Sequence, residues 1–382
     1  MPKEEPQETL LTSEEQKVLS SINVSKVILP TIIGLAAVGY LMWRSFQKQE
    51  LPTIEWSRVT ITWVVISVLL LGVRHLAYMT RLRILTDGAF SWRKCFELIF
   101  IWEFSSAVTP TSVGGSAVAM FVLAQEKLAA GKIATIIFYS IVLDTLFFVG
   151  FMPILLIWLG PEMLSPGGAD NENFVFWRRT FYLAYTAMIV YGTFFFYGII
   201  VNPKRIQRFL IWSTSFKLLK RFREKAKLIA SDMVLTAEEI RGKRWTWHAG
   251  AFGATTAAWT IRFVLVMCLM IAFVPAVREG VSFAQQSLIY GRLEVMYIVL
   301  ALSPTPGGVG IAEAAFGPFL SDFIVDGNGT YMIGMAILIA FLWRLLTYYF
   351  YLVAGAIVIP NWIRGVINER KQMALENKPS TQ

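Results

Sequence analysis

The sequence has little of what builds a small cross-linked or metal-binding domain. Its 382 residues include two cysteines, Cys95 and Cys268, and two histidines, His75 and His248. A disulfide scaffold needs more thiols, and a zinc cluster or His-rich site needs ligands at close spacing, so these fold types are excluded. We expect neither a metal nor a cofactor.

Charge is also scarce, because only 16% of the residues are charged, against about 25% in an average soluble domain. Hydrophobic residues make up 55%, and the formal net charge is +9. In so apolar a chain, a positive balance indicates basic loops that face the cytoplasm and anionic lipid. Nucleic-acid binding is disfavoured because no recognition motif accompanies the charge. The predicted fold class is an all-α polytopic membrane protein.

Runs of about 17 or more mostly apolar residues predict full transmembrane helices. There are six: Val27–Trp43, Val59–Met79, Ile133–Leu159, Phe181–Val201, Ala249–Phe273 and Tyr331–Ile359. Residues 1–26 are polar, with no cleavable signal pattern, and we predict them, like residues 360–382, to be flexible cytoplasmic tails. Residues 160–180 are predicted to form an external loop.

Two further apolar segments, 96–125 and 283–323, are interrupted by proline and paired glycine. The first break reads Thr109-Pro110-Thr111-Ser112-Val113-Gly114-Gly115, and the second reads Ser303-Pro304-Thr305-Pro306-Gly307-Gly308-Val309-Gly310. Irregular backbone at membrane depth must be buried in protein or line a wet cavity. We predict two broken or re-entrant helical hairpins beside the six full helices, or eight spans if the hairpins are counted differently.

The distribution of lysine and arginine orients these elements. Residues 202–248 carry twelve Lys/Arg against four acids, whereas residues 303–330 carry no Lys or Arg. The first stretch is predicted to be cytoplasmic and the second external, with both termini cytoplasmic. The two hairpins then open to opposite sides, so residues 27–159 and 181–359 form an inverted repeat, as in many transporters. The alternative is that two Pro/Gly breaks coincide by chance.

The basic linker 202–248 combines its charge with apolar residues at near-helical spacing, among them Ile206, Phe209, Phe216 and Phe222. Such a pattern is typical of an interfacial helix that lies on anionic headgroups. An equally good interpretation is a connector whose apolar side packs on the bundle.

The two breaks and Arg344 in the last span together resemble the flippase-like family of the lysylphosphatidylglycerol synthase transmembrane domain. The most specific element is the string from Pro304 to Glu313, which reads P-x-P-G-G-x-G-x-x-E. The resemblance extends from about Val59 to Ile359. It implies movement of a phospholipid across a bacterial inner membrane, where this multi-pass protein would reside.

The chain departs from that family in two respects. About twenty polar residues follow the membrane part in place of a large aminoacyl-transfer domain, so we expect that this chain does not itself make the lipid. Many relatives have an arginine after the first Gly-Gly, whereas this chain has Ala117, Val118, Ala119 and Met120. A phosphate-binding role for the first hairpin is therefore less well supported.

Ionisable residues within membrane spans are functional candidates, with internal pairing as the alternative explanation. Arg344 is the leading candidate because a buried guanidinium binds phosphate bidentately. Glu313 pairs with Arg344 or binds the cationic part of a headgroup. Asp144 is expected to pair with Arg262 or to bind the same headgroup. Arg74 is expected to snorkel, which means that its charged group extends to the membrane interface.

Helix starts after the breaks expose N–H groups suited to an anion. The full set of predicted substrate-binding residues is Arg344, Glu313, Gly307, Gly308, Gly310, Ser303, Thr305, Gly114, Gly115, Ser112, Asp144, Arg262 and Glu103.

The predicted function is a flippase or transporter for a phospholipid or lipid-linked headgroup, and not an enzyme. The alternative is a membrane enzyme that acts on a lipid through intramembrane carboxylates, although neither a nucleophile elbow nor a P-loop occurs in the sequence. A third class is an assembly partner for a separate lipid-modifying enzyme. Expected partners are the lipid substrate, anionic lipids at the linker, a lipid-modifying enzyme and a second copy of the chain.

Overall fold

The structure, a computed structural model, describes most of the chain from residue 54 onward. The described residues are 54–109, 128–165, 174–214, 223–280 and 282–376, with single positions at 36, 40, 43, 123 and 126. The predicted span Val27–Trp43, apart from those single positions, lies outside this set. So does the first break beyond Thr109, with Ser112, Gly114 and Gly115.

The regular secondary structure of the described residues is helical, and an isolated antiparallel bridge joins Val325 to Tyr331. The helices are α1 Arg58–Leu85, α2 Trp92–Val108, α3 Ala130–Leu159, α4 Val175–Phe196, α5 Pro203–Ser213, α6 Arg223–Arg241, α7 Trp245–Phe273, α8 Pro275–Gly280, α9 Phe283–Leu300, α10 Ile311–Leu320, α11 Ile333–Arg344 and α12 Phe350–Glu376. π-Helical turns at Tyr197–Val201 and Leu345–Tyr349 extend α4 and join α11 to α12. The prediction of an all-α polytopic membrane protein is confirmed.

Five of the described helical segments are long and apolar enough to cross a membrane: Arg58–Leu85, Gly131–Leu159, Val175–Val201, Trp245–Phe273 and Ile333–Val366. Compared with a soluble protein, apolar side chains are exposed on their surfaces and charged side chains are buried. Leu69 is 63% exposed and Ile157 is 86% exposed, whereas Arg74 is fully buried. Since lipid solvates apolar side chains and not charges, this distribution is the one a bilayer requires.

Two boundaries change a loop and a tail that the sequence predicted. Helix α4 begins at Val175, so the connection predicted for 160–180 is shorter. The last span does not end at Ile359, because α12 continues through Pro360 to Glu376 where a flexible tail was predicted. Its extension is held at Trp362, which is buried and donates from Nε1 to the Glu126 carboxylate at 2.6 Å.

The helix packing is reciprocal between the two predicted halves. Helix α1 packs along α7, α2 of the first hairpin packs on α12, and α9 of the second hairpin packs on α3. The first helix of each hairpin therefore contacts the last long helix of the other half. An inverted repeat requires such an exchange, although the repeat itself stays a prediction.

Ion pairs gather different loops at the two ends of the bundle. At one end Lys243 of the basic linker lies 3.0 Å from Asp87, which also pairs with Lys132. This hydrogen bond to Asp87 raises the pKa of Lys243. At the other end Arg292 donates to the Asp322 carboxylate at 2.9 Å and to the Glu162 carbonyl at 3.3 Å.

The basic linker contains two helices with different environments. Helix α6 packs on α3 and buries a row of small and apolar side chains, Ala230, Met233, Ala237 and Ile240. The contact is close because Gly131 faces the backbone of Asp232, where a Cβ would overlap. Helix α5 leaves Phe209 and Trp212 exposed. The packed-connector interpretation therefore describes α6, and α5 keeps the features of an interfacial helix.

Candidate functional site

The second break folds into a turn whose polar atoms are used internally. Gly307, Gly308 and Gly310 all adopt positive φ, at 57°, 72° and 83°. The hydroxyls of Ser303 and Thr305 lie 2.9 Å apart, and that of Thr305 donates to the Val309 carbonyl at 2.9 Å. Side chains and glycines thus satisfy a backbone that leaves the helical path between α9 and α10.

Glu313 links this turn to Arg344. One carboxylate oxygen accepts the Gly310 N–H at 2.7 Å and so caps α10, and the other accepts from Arg344 Nε at 3.0 Å. Arg344 Nη2 donates to the Gly307 carbonyl at 2.8 Å. The predicted pairing of Glu313 with Arg344 is present, and the carboxylate occupies the positive helix end where a phosphate was expected.

Tyr348 connects the break to the first hairpin. The Arg344 guanidinium carbon lies 4.1 Å from the Tyr348 ring centroid, and the Tyr348 hydroxyl donates to the Ala107 carbonyl at 3.3 Å. A Cβ at Gly307 would overlap this ring. The end of α2 and the second break therefore meet at one side chain.

A second group of charges, which we call the arginine cluster, lies in the membrane-spanning bundle. It consists of Arg74, Arg81 and Arg262 with Glu103 and Asp144. Arg74 Nη2 lies 2.7 Å from Glu103 Oε2, and Arg262 Nη2 lies 3.6 Å from the same oxygen. The expectation that Arg74 snorkels is wrong, because a carboxylate one helix away provides a buried partner.

Asp144 is held by α1 and α7 and not by Arg262. Its Oδ1 lies 2.6 Å from Arg81 Nη1 and accepts from Trp259 Nε1 at 2.9 Å. Arg262 instead donates to the Tyr297 hydroxyl at 2.7 Å. The predicted Asp144–Arg262 pair is therefore not formed, although both side chains belong to one network.

Aromatic rings surround the arginines. The Arg74 guanidinium lies 5.1 Å from the Tyr78 ring and 5.3 Å from the Tyr351 ring, and Arg262 lies 4.7 Å from the Trp259 ring. Such ring faces stabilise cations without neutralising them.

The arginine cluster has more positive than negative charge. Three guanidiniums face two carboxylates, and Arg74 Nε and Nη1 and Arg262 Nε have no hydrogen-bond partner among the described residues. Residues 27–43 and 110–122 contain no acidic residue, so they supply no further counter-charge. The cluster can accept an anion.

The cluster is partly open on one side. The side chains of Arg262, Glu103 and Asp144 are 14%, 17% and 31% exposed, while that of Arg74 is fully buried. Among the three arginines of the cluster, Arg262 has the most exposed side chain.

The structure brings the predicted site residues together in two groups. Ser303, Thr305, the three glycines, Glu313 and Arg344 form the second break, and Glu103, Arg262 and Asp144 belong to the arginine cluster. Their roles in binding stay predictions.

Sequence reasoning missed Arg81 and the tyrosines as parts of these groups. Arg74, Tyr78 and Arg81 follow at i, i+4 and i+7 on α1, and Arg344, Tyr348 and Tyr351 show the same spacing. Residues so spaced share one helix face, which is the signal that would have identified them.

Comparison with known proteins agrees with this architecture. The sequence model of the family described as "Lysylphosphatidylglycerol synthase TM region" matches residues 28–355. The chain belongs to this family. It is therefore a multi-pass membrane protein, and its family is related to membrane lipids.

A relative from the archaeon Archaeoglobus fulgidus, described as a UPF0104 membrane protein, is 22% identical over 340 residues. The match covers 86% of this chain and 94% of that protein. No solved structure matches the chain.

Proposed function

We propose that this protein moves a phospholipid or lipid-linked substrate across its membrane and that the arginine cluster binds the headgroup phosphate. The observation that carries the proposal is the surplus guanidinium charge, with unpaired N–H donors, enclosed by membrane-spanning helices. An unpaired intramembrane cation is costly and is a functional-site hypothesis by default. A phosphate would remove that cost.

Geometry supports Arg262 as the first contact. It is the partly exposed arginine of the pair around Glu103, and its distance of 3.6 Å from that carboxylate is long compared with the 2.7 Å of Arg74. Arg262 could therefore bind a phosphate while Glu103 stays paired with Arg74. Arg344 is less available because Glu313 and Gly307 already accept its N–H groups.

The direct test is lipid movement in proteoliposomes. A phospholipid with a fluorescent headgroup-proximal label is quenched from outside by dithionite, and the rate of loss of the protected fraction is measured. We expect Arg262→Gln to slow movement by about tenfold or more, since a charged hydrogen bond contributes about 1.5–3 kcal/mol.

Charge balance makes this variant informative. Loss of Arg262 leaves two arginines for two carboxylates, so the fold should be retained. Arg93→Gln, at a position 91% exposed, removes the same charge as a matched control and should move lipid at the wild-type rate. Wild-type movement by Arg262→Gln would overturn the proposal.

We further propose that α5 lies on anionic headgroups. It carries Lys204, Arg205 and Arg208 without an acid, and its exposed Phe209 packs on Phe194 of the lipid-facing α4 at 5.2 Å. The basic end of the bundle would then be cytoplasmic, together with both termini.

The proposal assigns this chain no catalytic step, and the lipid-modifying enzyme would be a separate partner. Residence in a bacterial inner membrane stays a prediction, since the relative reported above is archaeal.

A further inference from the structure

A buried carboxyl group lies outside both groups described above. Glu294 is on α9, its exposed fraction is 0%, and neither Oε1 nor Oε2 has a hydrogen-bond partner among the described residues. Its chain neighbours Leu293 and Val295 are also buried. Burial of an ionised carboxylate without a partner is strongly unfavourable.

The contrast with Arg292 on the same helix is informative. Arg292 is also buried, but it has a carboxylate and two backbone carbonyls as acceptors, from Asp322, Glu162 and Phe319. The two residues point to different sides of α9, as their spacing requires. The fold thus supplies hydrogen-bond acceptors for the charge of Arg292. It leaves Glu294 in a site that suits an uncharged carboxyl group.

The titratable groups that interact with Glu294 are tyrosines. Tyr185 of α4 and Tyr290, one turn earlier on α9, interact with it electrostatically. The Tyr185 hydroxyl donates to the Val149 carbonyl. No described arginine or lysine pairs with Glu294.

Several other ionisable groups on elements that pack against α9 have their own partners. Among them are Asp144 of α3 with Arg81, Arg262 of α7 with Tyr297 and Glu103, Glu313 of α10 with Arg344, and Arg178 of α4 with the Ser165 hydroxyl.

Helix α9 also connects Glu294 to the arginine cluster. Tyr297 follows Glu294 by three residues, and its hydroxyl accepts the 2.7 Å hydrogen bond from Arg262. Residues three apart lie on one face of a helix. A movement of α9 that admits water to Glu294 would therefore shift the partner of the proposed phosphate-binding arginine.

We propose that Glu294 is a proton-binding site whose protonation is coupled to lipid movement. When α9 is packed as here, the carboxyl keeps its proton. When the helix moves and water enters, the O–H bond breaks, the electron pair stays on the carboxylate and the proton passes to water. This inference rests on the proposed function, because it couples the proton to that transport.

The proton-binding step is tested without transport by infrared spectroscopy of the purified protein. Protonated carboxyl groups have a C=O stretch distinct from that of carboxylates. We expect a band at neutral pH that is lost in Glu294→Gln and kept in Glu279→Gln, whose side chain is 72% exposed. A spectrum unchanged by Glu294→Gln would overturn the proposal.

The coupling is tested in proteoliposomes with an imposed pH gradient. We expect the gradient to change the wild-type rate of lipid movement severalfold and to have no effect on Glu294→Gln. If wild-type protein moves lipid and ignores the gradient, coupling is refuted and the proposed function stands. If wild-type protein moves no lipid, the proposed function fails, and the infrared band alone reports whether Glu294 holds a proton.

Discussion

Single arginines in this protein are stabilised by what the adjacent helix offers at the same depth. Arg74 has Glu103 and two tyrosine rings, whereas Arg344 has Glu313 and the Gly307 carbonyl. Both are buried, but of the two only Arg74 has fully buried N–H groups that lack partners among the described residues. Under the proposed function, Arg344 holds the fold and Arg74 belongs to the phosphate site.

A first prediction concerns the glycines of the second break. Gly307→Ala should destabilise the protein more than Gly308→Ala, because both have positive φ but only a Cβ at Gly307 overlaps Tyr348. The backbone conformation costs about 1–2 kcal/mol in either variant, and overpacking adds about 1–3 kcal/mol. Thermal unfolding in detergent measures the difference. Equal melting temperatures would show that the Tyr348 ring moves aside freely.

A second prediction concerns the Arg344–Glu313 pair. Arg344→Met leaves a buried carboxylate without its cation and should cost about 3–5 kcal/mol. Adding Glu313→Gln should recover part of this loss, since glutamine is uncharged and still offers an oxygen to the Gly310 N–H. Melting temperatures of the two single variants and the double variant decide the point. A double variant less stable than Arg344→Met would contradict a role of the pair in holding the break.

At the scale of helices, hydropathy predicted which segments form long apolar helices. Helix α7 was expected over Ala249–Phe273 and is found over Trp245–Phe273, and helix α3 was expected over Ile133–Leu159 and is found over Ala130–Leu159. Partner identity was not predictable in this way. The snorkelling of Arg74 and the Asp144–Arg262 pair were predicted wrongly, because no local pattern encodes which helices pack together.

A third prediction concerns α5, whose exposed aromatics extend the lipid-facing surface of α4. After replacement of Cys95 and Cys268, a nitroxide at position 209 should collide more with oxygen than with a polar nickel complex. The matched label at position 204, on the basic side, should show the reverse. Similar accessibility at both positions would mean that α5 does not lie in the interface.

At the scale of the whole molecule, ion pairs join loops that the charge pattern assigns to one side. Asp87 with Lys243 closes the basic end, and Arg292 joins Glu162 to Asp322 at the other. Helix α10 has 10 residues, so it is about 15 Å long, half of a hydrocarbon core of about 30 Å. Re-entry of the second hairpin would let Glu162 and Asn328 share a side.

A fourth prediction follows for topology. In a background without Cys95 and Cys268, single cysteines at Ala89 and Arg241 should react with an impermeant thiol reagent in inverted vesicles, and cysteines at Glu162 and Asn328 in intact cells. All four positions are exposed, so labelling depends on the side and not on burial. Labelling after denaturation controls for the presence of each thiol.

This experiment is informative because it compares two positions on each side of the membrane. If Glu162 and Asn328 label from opposite sides, the second hairpin crosses the membrane an odd number of times, and the inverted repeat fails. If Ala89 and Arg241 react in intact cells, and Glu162 and Asn328 in inverted vesicles, each pair still shares a side. The inverted repeat then remains supported, and the basic linker faces outward. In that case α5 could not meet the anionic cytoplasmic leaflet, and the surplus charge of the arginine cluster would have to act without it.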